Sequence, residues 1–434
     1  MTAGTSDRLG GAVPARPAGV RVVLDARPLQ APDRSPLASA YLDGLLGAFD
    51  AEPLEGESFA FLLASDLDDP TDRFGHLDIV GRRQLPPTRL LRSGAMTVDP
   101  FVLRGAAVGA TWRAERGGAA GAVYHAVGSG PLPIASGIPL VVTLLDLAPW
   151  ELPEAFGRTV VTRFGQRLRA QLLREAAAVI VGSEATAQAT RRVLRIRRDR
   201  LHVVPLAARV GFSPRPAGAG PADGPQGDRD QPATAARARL GLGGRYLVFT
   251  GRFDARLDLA TLLSALASLN GTGRPDGLPA DVAWPPRILV VGASPDDRAS
   301  VARAAARKGV GESFVYAPAL STPELVDLVR GARGAVLPVV SDAAGLSAIE
   351  ALACGIPVVA SAVGPLPEII GPAGLLVEPG DTDRLAVALA AIWADDGVHA
   401  GIAAIAHDAA NRGTRTWADV ARETRAIYAA VGGR

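Results

Sequence analysis

Residues 336–361 read VLPVVSDAAGLSAIEALACGIPVVAS. The run opens on the apolar pair Val336-Leu337 and closes on Pro357-Val358-Val359, neither alternating in polarity. Strands buried on both faces of a parallel sheet read this way. Between them a glycine-containing turn leads into a helical stretch from about Ser347 to Ala353, and Gly355 supplies its stop. Strand, turn, helix and strand follow one another as they do in an open α/β sheet.

The alternation extends outward in both directions. Upstream, short apolar runs lie at Val22–Leu24, Phe59–Leu63, Ala122–Tyr124, Leu140–Leu145, Val179–Val181 and Val203-Val204, with amphipathic stretches such as Ser39–Phe49 and Arg158–Glu175 between them. Residues 213–236 (SPRPAGAGPADGPQGDRDQPATAA) have almost nothing to bury and read as a flexible linker or insertion. After it strands are expected at Tyr246–Thr250, Ile288–Val291, Phe314–Tyr316, Ala335–Leu337, Pro357–Val359 and Leu375–Val377. The expected organisation is a disordered leader at 1–20, an α/β domain at 21–212, a linker at 213–238, a second α/β domain at 239–405 and a closing helical segment at 406–434. Two doubly wound domains of this kind face each other across a cleft at the carboxyl ends of their strands, where ligands bind.

A chain of 434 residues is too long for one ordinary core, which agrees with two domains. Charged residues make up 21% and the net charge is only +2, so the basic pI reflects a slight arginine excess and not a nucleic-acid partner. Aromatics at 5% are too scarce for base-stacking platforms. Cys354 is the single cysteine, which excludes an intrachain disulfide and fits a reducing cytoplasm. The first twenty residues lack the apolar core of a signal peptide, and no apolar run approaches the roughly 20 residues of a membrane span. Peripheral contact at the inner membrane face stays open. Arg158–Arg174 carries five arginines, with Val160, Val161, Phe164, Leu168 and Leu172 at helical spacing. It reads either as an amphipathic helix packed on the sheet or as a surface for anionic lipid. The basic, apolar stretch Arg82–Arg113 carries no legible motif.

A helix N-terminus preceded by Gly345 offers free amides and a positive dipole end, suited to a diphosphate. Asp342 and Glu350 flank it, and carboxylates accept hydrogen bonds from sugar hydroxyls. The same residues have plainer readings. Ser347 and Glu350 are spaced as a capping box, and Asp342 fits a loop carboxylate that satisfies nearby amides. No P-loop motif or cysteine pair is present, and His76, His202, His399 and His407 have no metal-ligand spacing. No metal site is expected.

The run resembles the signature of glycosyltransferase family 4, Pro-Ser-x-x-Glu-Gly-Phe-Gly-Leu-Pro-x-x-Glu-Ala-x-Ala-Cys-Gly-x-Pro-Val-Val-Ala-Ser. Pro338, Gly345, Leu346, Glu350, Ala351, Ala353, Cys354, Gly355, Pro357, Val358, Val359, Ala360 and Ser361 are kept. The likeness continues through Gly364, Pro367-Glu368 and Val377–Asp381 to a Trp417-centred final helix, which in such folds crosses back to the first domain. Upstream it takes in Val123–His125, Pro139–Pro149, Val181–Glu184 and Val203–Leu206. The resemblance implies a GT-B architecture with two Rossmann-like domains. It implies an enzyme that moves a hexose from a nucleoside-diphosphate sugar to a glycan or lipid-linked acceptor, with retention and with no cofactor beyond the sugar nucleotide.

By position, the resemblance implies that Glu350 holds the ribose, Asp342 the transferred sugar, and the Gly345, Leu346 and Ser347 amides the sugar or diphosphate. Arg252 and Arg256, in GRFDARLD, would neutralise the leaving diphosphate. Thr143-Leu144-Leu145-Asp146 stands where the family has Thr-x-His-Asp, so Asp146 is kept and the histidine is Leu145. His125, at a strand end, is the candidate to replace it. Leu257 stands in place of the family's lysine, and Leu37–Tyr41 in place of a Gly-Ile-Gly-Arg-Tyr loop. These departures open a second expectation: a catalytically impaired relative that binds sugar nucleotide or glycan, or supports an active paralogue.

Overall fold

The computed structural model describes residues 19–86, 99–105, 121–214, 236–242, 244–318, 320–413 and 415–432. Residues 1–18 of the expected leader, 215–235 of the expected linker, and most of the Arg82–Arg113 stretch lie outside them. Ala236, assigned to the linker, is fully buried and begins a helical turn.

Seven parallel strands build the first sheet: β1 (Arg21–Asp25), β2 (Ser58–Ala64), β3 (Ile79–Leu85), β4 (Ala122–Val127), β5 (Leu140–Thr143), β6 (Ala178–Val181) and β7 (Leu201–Val203), in the order β3-β2-β1-β4-β5-β6-β7. The second has six: β8 (Leu247–Phe249), β9 (Ile288–Val290), β10 (Phe314–Tyr316), β11 (Gly334–Leu337), β12 (Val358–Ser361) and β13 (Gly374–Val377), in the order β10-β9-β8-β11-β12-β13. Every pairing is parallel. This is the doubly wound α/β architecture, twice. In each sheet the order reverses beside the first strand, between β1 and β4 and between β8 and β11. Such switch points leave a crevice at the strands' carboxyl ends, and both cavities described below open there.

Helices cover both faces of the first sheet. Pro36–Ala51 buries Tyr41, Leu42, Leu45, Leu46 and Phe49 on one face, and Val160–Glu175 buries Leu172 and Leu173 on the other. The closing helix Trp417–Gly432 returns to the first domain, with Trp417, Val420, Ile427 and Tyr428 in the same core as Tyr41 and Phe49. The boundary expected at 405/406 falls inside helix Asp396–Asn411, which packs on the second domain through Ile402, so the crossing begins only after it. No single helix among the described residues is long and apolar enough to cross a membrane. One pair bent by 88°, Thr382–Ala394 with Asp396–Asn411, passes by composition. Its apolar residues Leu385, Leu389, Ile392 and Trp393 fill the second domain's core.

Candidate functional site

The two stretches that carry the candidate residues are joined by backbone. Asp258 N donates to Pro338 O (2.8 Å) and Val340 N to Arg256 O (2.8 Å), with a bridge between Leu257 and Val339. Residues 256–258 therefore lie along 338–340 at the carboxyl end of β11. Asp258 also caps helix Leu259–Thr272, accepting from Thr261 N at 3.3 Å.

Past Val340 the chain turns through Asp342, whose Oδ1 accepts from the amides of Ala344 (2.9 Å) and Gly345 (2.8 Å). The loop is tight enough to need glycine at two places. Gly345 has φ +64°, and a Cβ there would stand 2.3 Å from Ile369 Cδ1. A Cβ on Gly364 would stand 1.9 Å from the Asp342 carbonyl oxygen. The helix is Leu346–Ala353 with Gly345 at its N-cap, so Ser347 is not a capping residue and the capping-box reading of Ser347 and Glu350 fails. Left-handed Gly345 can start the helix one residue earlier than a serine cap would. Ser347 Oγ instead lies 3.5 Å from Thr250 O. Of the amides expected to meet a diphosphate, that of Gly345 is already taken by Asp342.

Glu350 is 3% exposed and holds a bidentate ion pair with Arg209, through Nε–Oε1 and Nη2–Oε2 (2.9 Å). Burial pushes its pKa up and Arg209 opposes the shift. Arg209 sits on the segment that leaves the first domain, and its guanidinium lies 5.0 Å from the Phe212 ring centroid. Nothing in the sequence pairs residues 141 positions apart, so this partner was not foreseen. Asp342 is also pushed upward, first by burial, with the Gly345 and Ala344 amides and Arg256 pulling it down.

Arg256 spans the cleft. Its Nη2 meets Asp146 Oδ2 of the first domain at 2.6 Å, its Nη1 pairs with Asp254, and it lies 5.0 Å from the Phe156 ring centroid. Asp146 also accepts from Ser129 Oγ (3.2 Å) and Ala148 N (3.0 Å). Arg252 is held more loosely, 3.5 Å from Asp254, with 40% of its side chain exposed.

Two adjoining cavities, of about 150 Å³ and about 330 Å³, share Leu37, Leu145, Asp146, Arg252 and Arg256. The smaller also takes in Arg209, Asp342, Leu346, Ser347 and Glu350; the larger extends along Asp25, Arg34 and Gly128 in the first domain. The cleft is closed. Loop 341–344 reaches into the first domain, where Ser341 Oγ donates to Glu151 Oε2 (2.6 Å) and Ala343 O accepts from Thr186 Oγ1 (3.0 Å).

His125 is not in this cleft. It is fully buried, with Nε2 2.9 Å from Thr143 Oγ1 and Nδ1 2.6 Å from Tyr428 Oη. Burial pushes its pKa down to about 3, so the ring is neutral and both nitrogens are occupied. A strand points successive side chains to opposite faces, and here His125 faces the closing helix. It cannot replace the missing imidazole; that correction removes it from the substrate-binding set. Leu145, 3% exposed, lines both cavities with no polar group to offer. Leu257 packs against the second domain's core. Leu37–Tyr41 form the first turns of helix Pro36–Ala51.

Two family models match the chain: "Glycosyltransferase Family 4" over residues 103–208 and "Glycosyl transferases group 1" over residues 244–395. The chain belongs to glycosyltransferase family 4. A D-inositol 3-phosphate glycosyltransferase of Xylanimonas cellulosilytica is 30% identical over 65% of this chain, and one of Catenulispora acidiphila is 37% identical over 39%. The matches span 62% and 40% of those relatives' own lengths. Among solved structures, sucrose-phosphate synthase from Thermosynechococcus elongatus superposes with a TM-score of 0.65 at 20% identity, covering 94% of this chain and 98% of that one. Anabaena HepE in complex with UDP gives 0.62 at 17% identity, covering 95% and 100%. Both share the GT-B fold. In this chain Asp342, Glu350, Arg252 and Arg256 converge on one cavity, and Leu145 lines its first-domain wall.

Proposed function

We propose that the protein is a hexosyltransferase that takes a sugar from a nucleoside diphosphate and passes it, with retention, to a glycan or lipid-linked acceptor. One observation carries this reading. Asp342, Glu350, Arg252 and Arg256 come from separate loops and helices, yet they line the same cavity between facing switch points. A diphosphate leaving group gains charge as its bond to sugar breaks, and cations held in a low-dielectric cleft stabilise that charge more than water does. Arg252, loosely tied, is the side chain with most freedom to turn onto it. Arg256 reaches the same place once it exchanges one of its two carboxylates for phosphate oxygen. Glu350 would accept the ribose hydroxyls after Arg209 gives way or shares it. Anabaena HepE, of the same fold, was solved with UDP and with UDP-glucose. The curated relatives are named for D-inositol 3-phosphate, a phosphorylated polyol, and Arg34 at the larger cavity would suit an acceptor of that charge.

A second reading, binding without turnover, is favoured by Leu145 and by Leu257 in the core. Losing one well-placed electrostatic donor costs about 3–4 kcal/mol of transition-state stabilisation. The two readings part in one experiment. The purified chain is titrated with a panel of nucleotide sugars, and binding, donor hydrolysis and transfer to glycan lysates are measured. A transferase binds at least one donor and hydrolyses it slowly. Binding with neither hydrolysis nor transfer rejects the enzyme, and no binding rejects both. Leu145→His should then raise turnover if the wall is impaired, and leave it unchanged if another group has taken over the role.

A further inference from the structure

Helix Val160–Glu175 has a buried face and a second face that the fold does not use. Gly165, Arg169, Ala170, Leu172 and Leu173 turn inward. On the outside, Val160 is 73%, Val161 43% and Phe164 54% exposed. Three large apolar side chains within the first turn or so of one helix make a patch that packing does not require. Around them Arg158, Arg163 and Arg167 are exposed and, among the described residues, have no carboxylate partner. The other two arginines of the stretch are occupied: buried Arg169 donates to Gly128 O, and Arg174 Nε to Leu194 O at 3.0 Å. No Asp or Glu lies between Arg158 and Arg174.

Apolar residues ringed by unpaired cations match the boundary of an anionic bilayer: the rings and branched chains enter the acyl edge and the guanidiniums meet the headgroup phosphates. A protein partner of ordinary composition would instead leave three arginines to be matched by acidic groups. The patch also lies beside the cleft. Gln166 Nε2 donates to Phe156 O at 3.0 Å, and Phe156 lines the larger cavity.

We propose that the N-terminal end of this helix docks the protein on an anionic lipid surface, with the acceptor cavity turned toward the membrane. The proposal does not rest on the transferase reading, because lipid binding is measured without any donor.

The test is sedimentation of the full chain with vesicles of phosphatidylcholine alone and of phosphatidylcholine with phosphatidylglycerol. The chain should pellet with the anionic vesicles, less so as salt is raised, and stay in solution with the neutral ones. Arg163→Gln with Arg167→Gln should weaken that binding by about 30-fold, two cations each contributing roughly fivefold. Val160→Asp with Phe164→Asp should abolish it while the thermal melt stays within a degree or two of the parent, since both positions are exposed. Wild-type chain that remains in the supernatant with anionic vesicles overturns the proposal. So does a Val160→Asp/Phe164→Asp chain that melts normally and still pellets.

Discussion

At the scale of single residues, the Glu350–Arg209 pair is the feature on which both folding and the proposed nucleotide site depend. A carboxylate that is 3% exposed and holds a guanidinium in two contacts cannot lose that partner without leaving a buried charge. Arg209→Ala should therefore destabilise the protein by about 2 kcal/mol, reduced from the fully buried case because the Arg209 side chain is 34% exposed. Adding Glu350→Gln to that variant should restore much of the loss, because the neutral amide no longer demands a counter-charge. Urea midpoints of the two single variants and the double variant measure this, and equal midpoints for wild type and Arg209→Ala would refute it. His125 supplies a pH signature. Its pKa is about 3 in the fold against 6.5 in the open chain, so below 6.5 only the unfolded state takes up the proton. The stability it contributes is complete above pH 6.5 and drains away as pH falls from there toward 3. Between pH 7 and pH 5 the loss should be about 2 kcal/mol. His125→Asn should be less stable at pH 7 but show a shallower decline over that interval, read from the same urea midpoints.

At the scale of elements, the closing helix is seated by a glycine. A Cβ on Gly44 of helix Pro36–Ala51 would stand 2.1 Å from the Trp417 ring, whose Nε1 donates to Ala208 O at 2.9 Å. Gly44→Ala must push the indole out, at about 1–3 kcal/mol. The expected outcome is a C-terminal helix released to limited proteolysis before the rest of the chain unfolds; unchanged protection would contradict it. Helices and strands were legible in the sequence to different degrees. Strands buried on both faces announce themselves as unbroken apolar runs, so twelve of the thirteen were placed from composition. β3, Ile79–Leu85 (IVGRRQL), was not, because it is a sheet edge with mostly half-buried or exposed side chains. The start of helix Leu346–Ala353 was displaced by one residue because a left-handed glycine cap has no side chain to signal it.

At the scale of the whole molecule, the two domains are shut against each other by polar contacts and by one small apolar tip, Ala343 and Ala344, which enter the first domain's cores. Arg256–Asp146, Ser341–Glu151 and Thr186–Ala343 span the cleft, and Ala185 N donates to Glu368 Oε2 at 3.2 Å. Interfaces of this kind open and close at modest cost. Asp146→Ala removes the pair at the wall between the two cavities and should shift the balance toward an open cleft by about 1–2 kcal/mol. Small-angle scattering should then report a larger radius of gyration for the variant than for wild type, and a donor that bridges the domains should bring it back. Identical scattering curves would show that Arg256–Asp146 does not hold the domains closed.

The sequence by itself determined the architecture and singled out Asp342, Glu350, Arg252 and Arg256, which the fold brings to one cavity. Buried parallel strands and the 336–361 run are local patterns, written in neighbouring residues. What only the tertiary structure decided is which partners those residues have: Arg209 on Glu350, Asp146 on Arg256, Tyr428 and Thr143 on His125. Each of these pairs joins residues 18 to 303 positions apart, and local pattern carries no information on contacts made by chain return. Whether a carboxylate in the 336–361 run faces a ligand or is already answered by a cation was settled there, by burial and by what the rest of the chain brings alongside.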